Sequence, residues 1–506
     1  MLPRDSKSTD DFEFVDRVSE AEVGRRARQG AVWSIFQIGG RNLISLATTA
    51  FLARILVPDD YGLIGMVATL TALLLVFSDM GLSWATVQRE NLTKIQVSNL
   101  FWVNIAAGAL LWGICLASAP MVAAFYHRPE LVAITSVMGA SFALAGIAVQ
   151  PFALMHRQMR YREIASIEIF ALLVGAGAGI VSAISGHGYW ALVVQSLTMQ
   201  VVRSLLVLPR SGLNILPLRF GANTRSLLAF GGLLAVNGLL IYLARNLDSV
   251  LIGRWWGSEA LGYYNRAYFL MLLPSMLATG VLTNLMVPSL AAFQNDSDRL
   301  GAAYRRAVVL VALIGSPLAA GLALTAEESV RLIYGEKWLP VAPMVVWLSI
   351  AGITQPIYNT TGWLFTAVGK AKAYLLLTLT NAMVLAVAFF VAVAHGPLAV
   401  AAAYGIVMGL FLLPPALWWA HRCATIQLRQ TTLLLLPVGV CLVAMTCAVI
   451  ASAKFAAWVG LGWQMTFGIK VVTGVLVYLA VAAIILPEHI RYEIFKVIKR
   501  QKLAVT

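Results

Sequence analysis

Residues Gly30 to Leu56 read GAVWSIFQIGGRNLISLATTAFLARIL, an apolar run with one arginine, Arg41, near its middle. The run is longer than the about 20 residues an α-helix needs to cross a bilayer. At about 1.5 Å of rise per residue, Arg41 lies roughly 16 Å from the start, close to the hydrocarbon midplane. A guanidinium facing lipid at that depth costs roughly 2.5 kcal/mol or more, so it is expected to face a bundle interior or a water-filled cavity. There it either binds an anion or bonds neighbouring carbonyls and holds helices together.

Similar runs recur along the chain. Its 506 residues are 60% hydrophobic and 12% charged, and the mean hydropathy is +0.81. That composition excludes a soluble enzyme and defines an all-α integral membrane protein. Fourteen transmembrane helices are predicted, at about 30–56, 61–82, 98–124, 130–155, 163–185, 189–208, 226–252, 259–290, 304–325, 340–367, 373–394, 397–420, 431–452 and 465–486. The longest expected far-side connection, Ala326 to Leu339, leaves no room for an extramembrane domain.

Charge distribution tests this layout. With the amino terminus in the cytoplasm, 27 of the 37 lysines and arginines fall on the cytoplasmic side, six on the opposite side, and four within spans. The asymmetry follows the positive-inside rule, so the formal charge of +14 reads as topology and not as a nucleic-acid footprint. An even span count places both termini in the cytoplasm. The expected organisation is a cytoplasmic tail at 1–29, an N-lobe at 30–208, a cytoplasmic linker at 209–225, a C-lobe at 226–420, two additional helices at 431–486 and a basic cytoplasmic tail at 487–506.

Two local matches indicate duplication. Arg54, Asp59 and Gly62 recur with identical spacing as Arg254, Glu259 and Gly262, at the turns joining spans 1–2 and 7–8. Ala145-Gly-Ile-Ala-Val-Gln-Pro151 recurs as Ala351-Gly-Ile-Thr-Gln-Pro356 inside spans 4 and 10. Two matches at nearly one offset argue for a repeated six-helix unit. Six is even, so the copies share one orientation and a pseudo-two-fold axis along the membrane normal, with a substrate path between them. Pro151 and Pro356 each delete a backbone hydrogen bond within a span, which makes them hinge candidates or simply shapers of packing.

The ionisable groups inside spans are few. Arg245 and Asp248 are three apart and spaced to pair on one helix face. Arg266 lies early in span 8, and Lys470, near the outer end of span 14, is expected to snorkel. The acids in or near spans are Asp79, Glu168 and Asp248, with Asp79 a candidate coupling or interface group. Arg41, Arg245 and Arg266 together suggest a positive wall suited to phosphate, which guanidinium binds in bidentate fashion. The six histidines fall at span ends and are expected to be solvated; neither they nor the four cysteines have metal-ligand spacing. The chain contains no nucleotide-binding GxxxxGK[ST] motif and no acidic pair on a long loop, which argues against an ATP-driven pump or a membrane enzyme.

Several stretches carry a family likeness: FLARILVPDDYGL at 51–63, VQRENLT at 87–93, AVQPFALMHRQMRY at 148–161, PSLAAFQNDSDRL at 288–300 and GEKWLP at 335–340. In these the chain resembles the polysaccharide transporter (Wzx-type) flippases of the multidrug/oligosaccharidyl-lipid/polysaccharide exporter superfamily. The resemblance implies two six-helix lobes in a V around a cationic cavity, plus a C-terminal helix pair that grooves a polyprenyl tail. It implies transfer of undecaprenyl-diphosphate-linked repeat units from the cytoplasmic to the periplasmic leaflet of a bacterial inner membrane, without enzymatic activity. No cofactor is expected beyond a Na+ or H+ coupling ion. Expected partners are the lipid-linked oligosaccharide, membrane lipids and other polysaccharide assembly proteins, with no nucleic acid. Cavity arginines matter in that family, and Arg41, Arg245 and Arg266 are the candidates here. Two other readings stand beside it: a small-molecule or multidrug antiporter of the same superfamily, and a membrane glycosyltransferase or polymerase.

Overall fold

The computed structural model describes residues 20–79, 83, 86–87, 92–218, 224–280 and 282–485. Its first helices are α1 (Glu20–Ile55), α2 (Pro58–Asp79), α3 (Lys94–Tyr126), α4 (Glu130–Arg157), α5 (Tyr161–Ile184) and α6 (Trp190–Arg210). Then come α7 (Thr224–Thr279), α8 (Leu282–Ala291), α9 (Ser297–Leu324), the short α10 (Ala326–Ile333) and α11 (Val341–Ala367). The last are α12 (Ala371–Val393), α13 (Pro397–Cys423, with a π-helical turn at Val407–Leu412), α14 (Leu428–Val459) and α15 (Trp463–Ile485). Ten of these, α3–α6, α9 and α11–α15, are long and apolar enough to cross a membrane. The remaining predicted spans fall on α1, α2, α7 and α8. Large apolar side chains such as Leu43, Met121, Trp458 and Ile484 stand exposed on the helices, a surface that water does not tolerate and lipid does. The chain is a multi-pass membrane protein.

Three local features differ from expectation. Spans 7 and 8 are two helices within α7 joined not by a six-residue loop at 253–258 but by a kink at Gly257, whose φ of 82° only glycine takes without strain. The 326–339 connection is folded into α10 and a 3₁₀ turn at Glu336–Trp338, because Tyr334 and Trp338 are fully buried and pull it inward. His421 is buried at the end of α13, where its ring nitrogens meet the Leu417 carbonyl at 2.7 Å and the Thr431 hydroxyl at 2.8 Å, so it is not a solvated interface histidine.

The chain divides into two compact units, Met1–Gly262 and Tyr263–Thr506. In the first, α3 packs along α4, α4 against α6, α5 against α6, and α1 against α5. In the second, α9 packs along α11, α11 against α13, and α12 against α13, while α14 and α15 pair with each other and against α9. The internal scheme of third with fourth, fourth with sixth and fifth with sixth helix therefore recurs.

Both sequence matches acquire a packing role. Gly146 lets α4 approach α3 so closely that a Cβ there would lie 2.5 Å from the Asn104 carbonyl oxygen. Its counterpart Gly352 lies on the α9-facing side of α11, where a Cβ would be 3.2 Å from the Ala319 Cβ. Small residues permit such backbone approach within membranes. The two copies of the other match touch each other. A Cβ on Gly62 would sit 1.7 Å from the Ser258 carbonyl oxygen, and one on Gly262 would sit 2.0 Å from that of Pro58. Positions 58 and 258, like 62 and 262, are 200 residues apart, so the contact is reciprocal, as a two-fold relation demands.

Arg128, in the α3–α4 turn, secures this junction. It donates to both Asp59 carboxylate oxygens, Nη1 to Oδ1 at 3.2 Å and Nη2 to Oδ2 at 2.7 Å, and to Ser258 Oγ at 3.1 Å. The Ser258 hydroxyl donates to Asp59, and Glu130 lies 3.3 Å from Arg128 Nε. The hydrogen bonds with Asp59 raise the Arg128 pKa above its ordinary value.

Candidate functional site

Inside the first unit lies a cavity of about 780 Å³, bounded by α2, α4, the start of α5, and α6. Its wall is mixed: Phe142, Phe152 and Met199 are apolar, while Thr71, Ser141, Ser196, Gln200, Tyr161, His156 and Arg203 are polar. Ligand sites are typically mostly apolar cavities of about 300–1,000 Å³ with a few convergent polar groups. An ionisable side chain in such a wall, between membrane helices, is costly and makes the place a candidate site.

Arg203 is the charged group of this wall. Its Nε lies 2.8 Å from Glu168 Oε1, and its guanidinium sits over the Phe152 ring at 4.5 Å from the centroid. Glu168 stands seven residues after the first residue of α5, and Arg203 seven before the last of α6. The two are thus at one depth, about 10 Å in from that end of the bundle. Neighbouring arginines are committed to the protein. Arg157 Nη1 donates to the Thr86 carbonyl at 2.9 Å. Arg160 holds both Glu163 oxygens, at 2.7 and 2.6 Å, and the Arg210 carbonyl at 2.7 Å. Arg210 donates to the Leu206 carbonyl at 3.0 Å.

The residues singled out from the sequence fall elsewhere. Arg41 is exposed on α1, makes no hydrogen bond or ion pair among the described residues, and does not line this cavity. Arg266 is half-buried in the second unit, with its guanidinium 5.6 Å from the Phe269 centroid and its carbonyl accepting from Tyr334. The side chains of Arg245 and Asp79 lie outside the described residues, so the expected Arg245–Asp248 pair does too. Asp248 itself is buried and accepts from the Ser249 N–H at 2.7 Å. Pro151 and Pro356 are buried inside unbroken helices, and Pro356 packs on Gly315.

Lys470 departs from expectation outright. Rather than snorkelling, its ammonium lies 2.5 Å from Glu328 Oε1 and 3.2 Å from the Leu324 carbonyl, with both side chains largely buried. The signal was present in the sequence: Glu328 sits in the connection facing the outer end of span 14. Arg203 was counted only as part of the basic cytoplasmic edge, and Glu168 only as an acid near it.

The fold is shared with membrane transporters of known structure. The structure aligns with the lipid II flippase MurJ in its inward closed conformation at a TM-score of 0.71, 13% identity, over 90% of this chain and 98% of that one. It also aligns with an inward-facing multidrug resistance MATE family transporter of the MOP superfamily at 0.62, 16% identity, over 79% and 99%. At the sequence level, residues 51–343 match the family described as polysaccharide biosynthesis protein, and the chain belongs to that family. It is 26% identical to the teichuronic acid biosynthesis protein TuaB of Bacillus subtilis (strain 168), over 69% of this chain and 73% of that protein. It is 26% identical to the lipopolysaccharide biosynthesis protein WzxC of Escherichia coli (strain K12), over 67% and 69%. A succinoglycan biosynthesis transport protein, ExoT of Rhizobium meliloti (strain 1021), is 23% identical over 64% and 66%.

Proposed function

We propose that this chain moves undecaprenyl-diphosphate-linked oligosaccharide repeat units from the cytoplasmic to the periplasmic leaflet of a bacterial inner membrane, supplying an exopolysaccharide, capsule or O-antigen. The physical problem is to carry hydroxyls and a diphosphate through hydrocarbon while the prenyl chain stays in lipid. The observation that carries the reading is the arginine-bearing cavity within a bundle of membrane helices, in a chain of the polysaccharide biosynthesis family. Fourteen spans in two six-helix lobes with a C-terminal pair, both termini in the cytoplasm, and drive from a Na+ or H+ gradient belong to the same proposal. The recurring helix-contact scheme and the reciprocal Gly62–Gly262 junction support the duplication. Arg41, Arg245 and Arg266 keep the substrate-binding role proposed from the sequence.

Deleting the gene tests the reading through the sidedness of the lipid-linked intermediate. Completed repeat units trapped on the cytoplasmic face are expected. Single units accumulating on the outer face would instead indicate a polymerase.

A further inference from the structure

We propose that Arg203 is a phosphate-docking residue within the first unit, and that Glu168 is the internal anion it holds until a substrate phosphate arrives. The proposal rests on the lipid-linked reading above and adds a particular residue, a ligand group and a resting state to it.

Arg203 differs from Arg157, Arg160 and Arg210 in what remains unused among the described residues. Arg157, Arg160 and Arg210 each direct terminal nitrogens at backbone carbonyls or at Glu163, and so perform structural work. Arg203 has its Nε 2.8 Å from Glu168 Oε1 and its flat face over Phe152. Its Nη1 and Nη2 meet no acceptor among the described residues. A guanidinium set against Glu168 and Phe152, with no acceptor for its terminal nitrogens among the described residues and a cavity beside it, can offer two parallel N–H···O bonds to a phosphate. The cavity also offers Tyr161, His156 and Gln200 as further polar contacts. With Glu168 in place the pair is neutral, which lowers the cost of keeping Arg203 inside the bundle when no ligand is bound. A diphosphate carries more charge than one carboxylate and has oxygens on both phosphorus atoms, so it competes for the guanidinium. By the positive-inside rule, the arginines clustered at this end mark the cytoplasmic side. The headgroup of a cytoplasmic-leaflet substrate therefore meets Arg203 early.

The test is equilibrium binding to the full-length protein in detergent, with three probes: farnesyl diphosphate, inorganic pyrophosphate and phosphatidylglycerol. Size-exclusion and thermal-melt profiles confirm that each variant is folded. Arg203→Gln is expected to weaken farnesyl diphosphate binding at least about tenfold, the scale of a lost charge-assisted hydrogen bond. Arg203→Lys keeps the charge without the fork and is expected to fall between. Glu168→Gln removes the competing carboxylate and is expected to tighten binding, whereas a pair with only a structural role would weaken with either change. Weaker but Arg203-dependent binding of inorganic pyrophosphate supports recognition of the diphosphate itself. The proposal is overturned if Arg203→Gln leaves farnesyl diphosphate binding unchanged, if Glu168→Gln weakens it as much as Arg203→Gln does, or if only phosphatidylglycerol binding depends on Arg203. If Arg203-dependent diphosphate binding persists while the deletion strain shows normal sidedness, the docking site stands and the transport reading falls.

Discussion

Lys470 and Glu328 form an ion pair whose side chains are 14% and 11% exposed, joining the last helix to the connection before α11. Removing one partner leaves the other charge buried without compensation, a loss of about 3–5 kcal/mol in comparable pairs. Lys470→Met is therefore expected to lower the melting temperature of the purified protein clearly. Adding Glu328→Leu is expected to restore most of the loss, since no charge then remains buried; a single variant that melts like wild type would contradict this. The sequence alone pointed to snorkelling, because hydropathy places Lys470 near an interface and is blind to the acid across from it. Arg203 was hidden for the same reason. Its significance lies in Glu168 and Phe152, 35 and 51 positions earlier, and in the competing use of its neighbours.

Most membrane helices could be read directly, since an apolar run of fixed minimum length has few other fates in a membrane protein. Connections were harder, because a short segment takes its structure from what it packs against. Thus 326–339 folds on Trp338 and Tyr334, and the bend between spans 7 and 8 closes at Gly257. The repeated Arg–acid–Gly turn was recognisable as a repeat, but not as a contact of one copy with the other. That contact is tight enough to predict a consequence. Gly62→Ala places a methyl group inside the Ser258 backbone and must push α2 away from α7, at an overpacking cost of about 1–3 kcal/mol. Gly39→Ala, on α1, meets nothing within 4 Å and serves as the control. Thermal unfolding followed by fluorescence-detected size exclusion should separate the two, and equal melting temperatures would remove the close approach from the account.

At the scale of the molecule, charge asymmetry and duplication yield a topology that side-specific labelling can test. Single cysteines replacing His395, between α12 and α13, and Leu461, between α14 and α15, are expected to react with an impermeant maleimide added outside intact cells. Cysteines replacing Lys370 and Gln427 are expected to react only after permeabilisation. The reverse pattern would invert the bundle and place Arg203 at the wrong membrane face for loading. What the helices surround was not readable from hydropathy, because every apolar run looks alike whether it lines a cavity or faces lipid. Only packing shows that α2, α4, α5 and α6 leave a space between them with Arg203 on its wall.

The most direct measurement reconstitutes the purified chain in liposomes that carry a prenyl-diphosphate-linked sugar, and follows lectin access to the sugar from outside. The account predicts that protein raises the accessible fraction above the starting outer-leaflet share, and that Arg203→Gln slows this rise without unfolding the protein. A folded, reconstituted chain that transfers no more lipid-linked sugar than protein-free vesicles, with an ion gradient of either kind imposed, would contradict it.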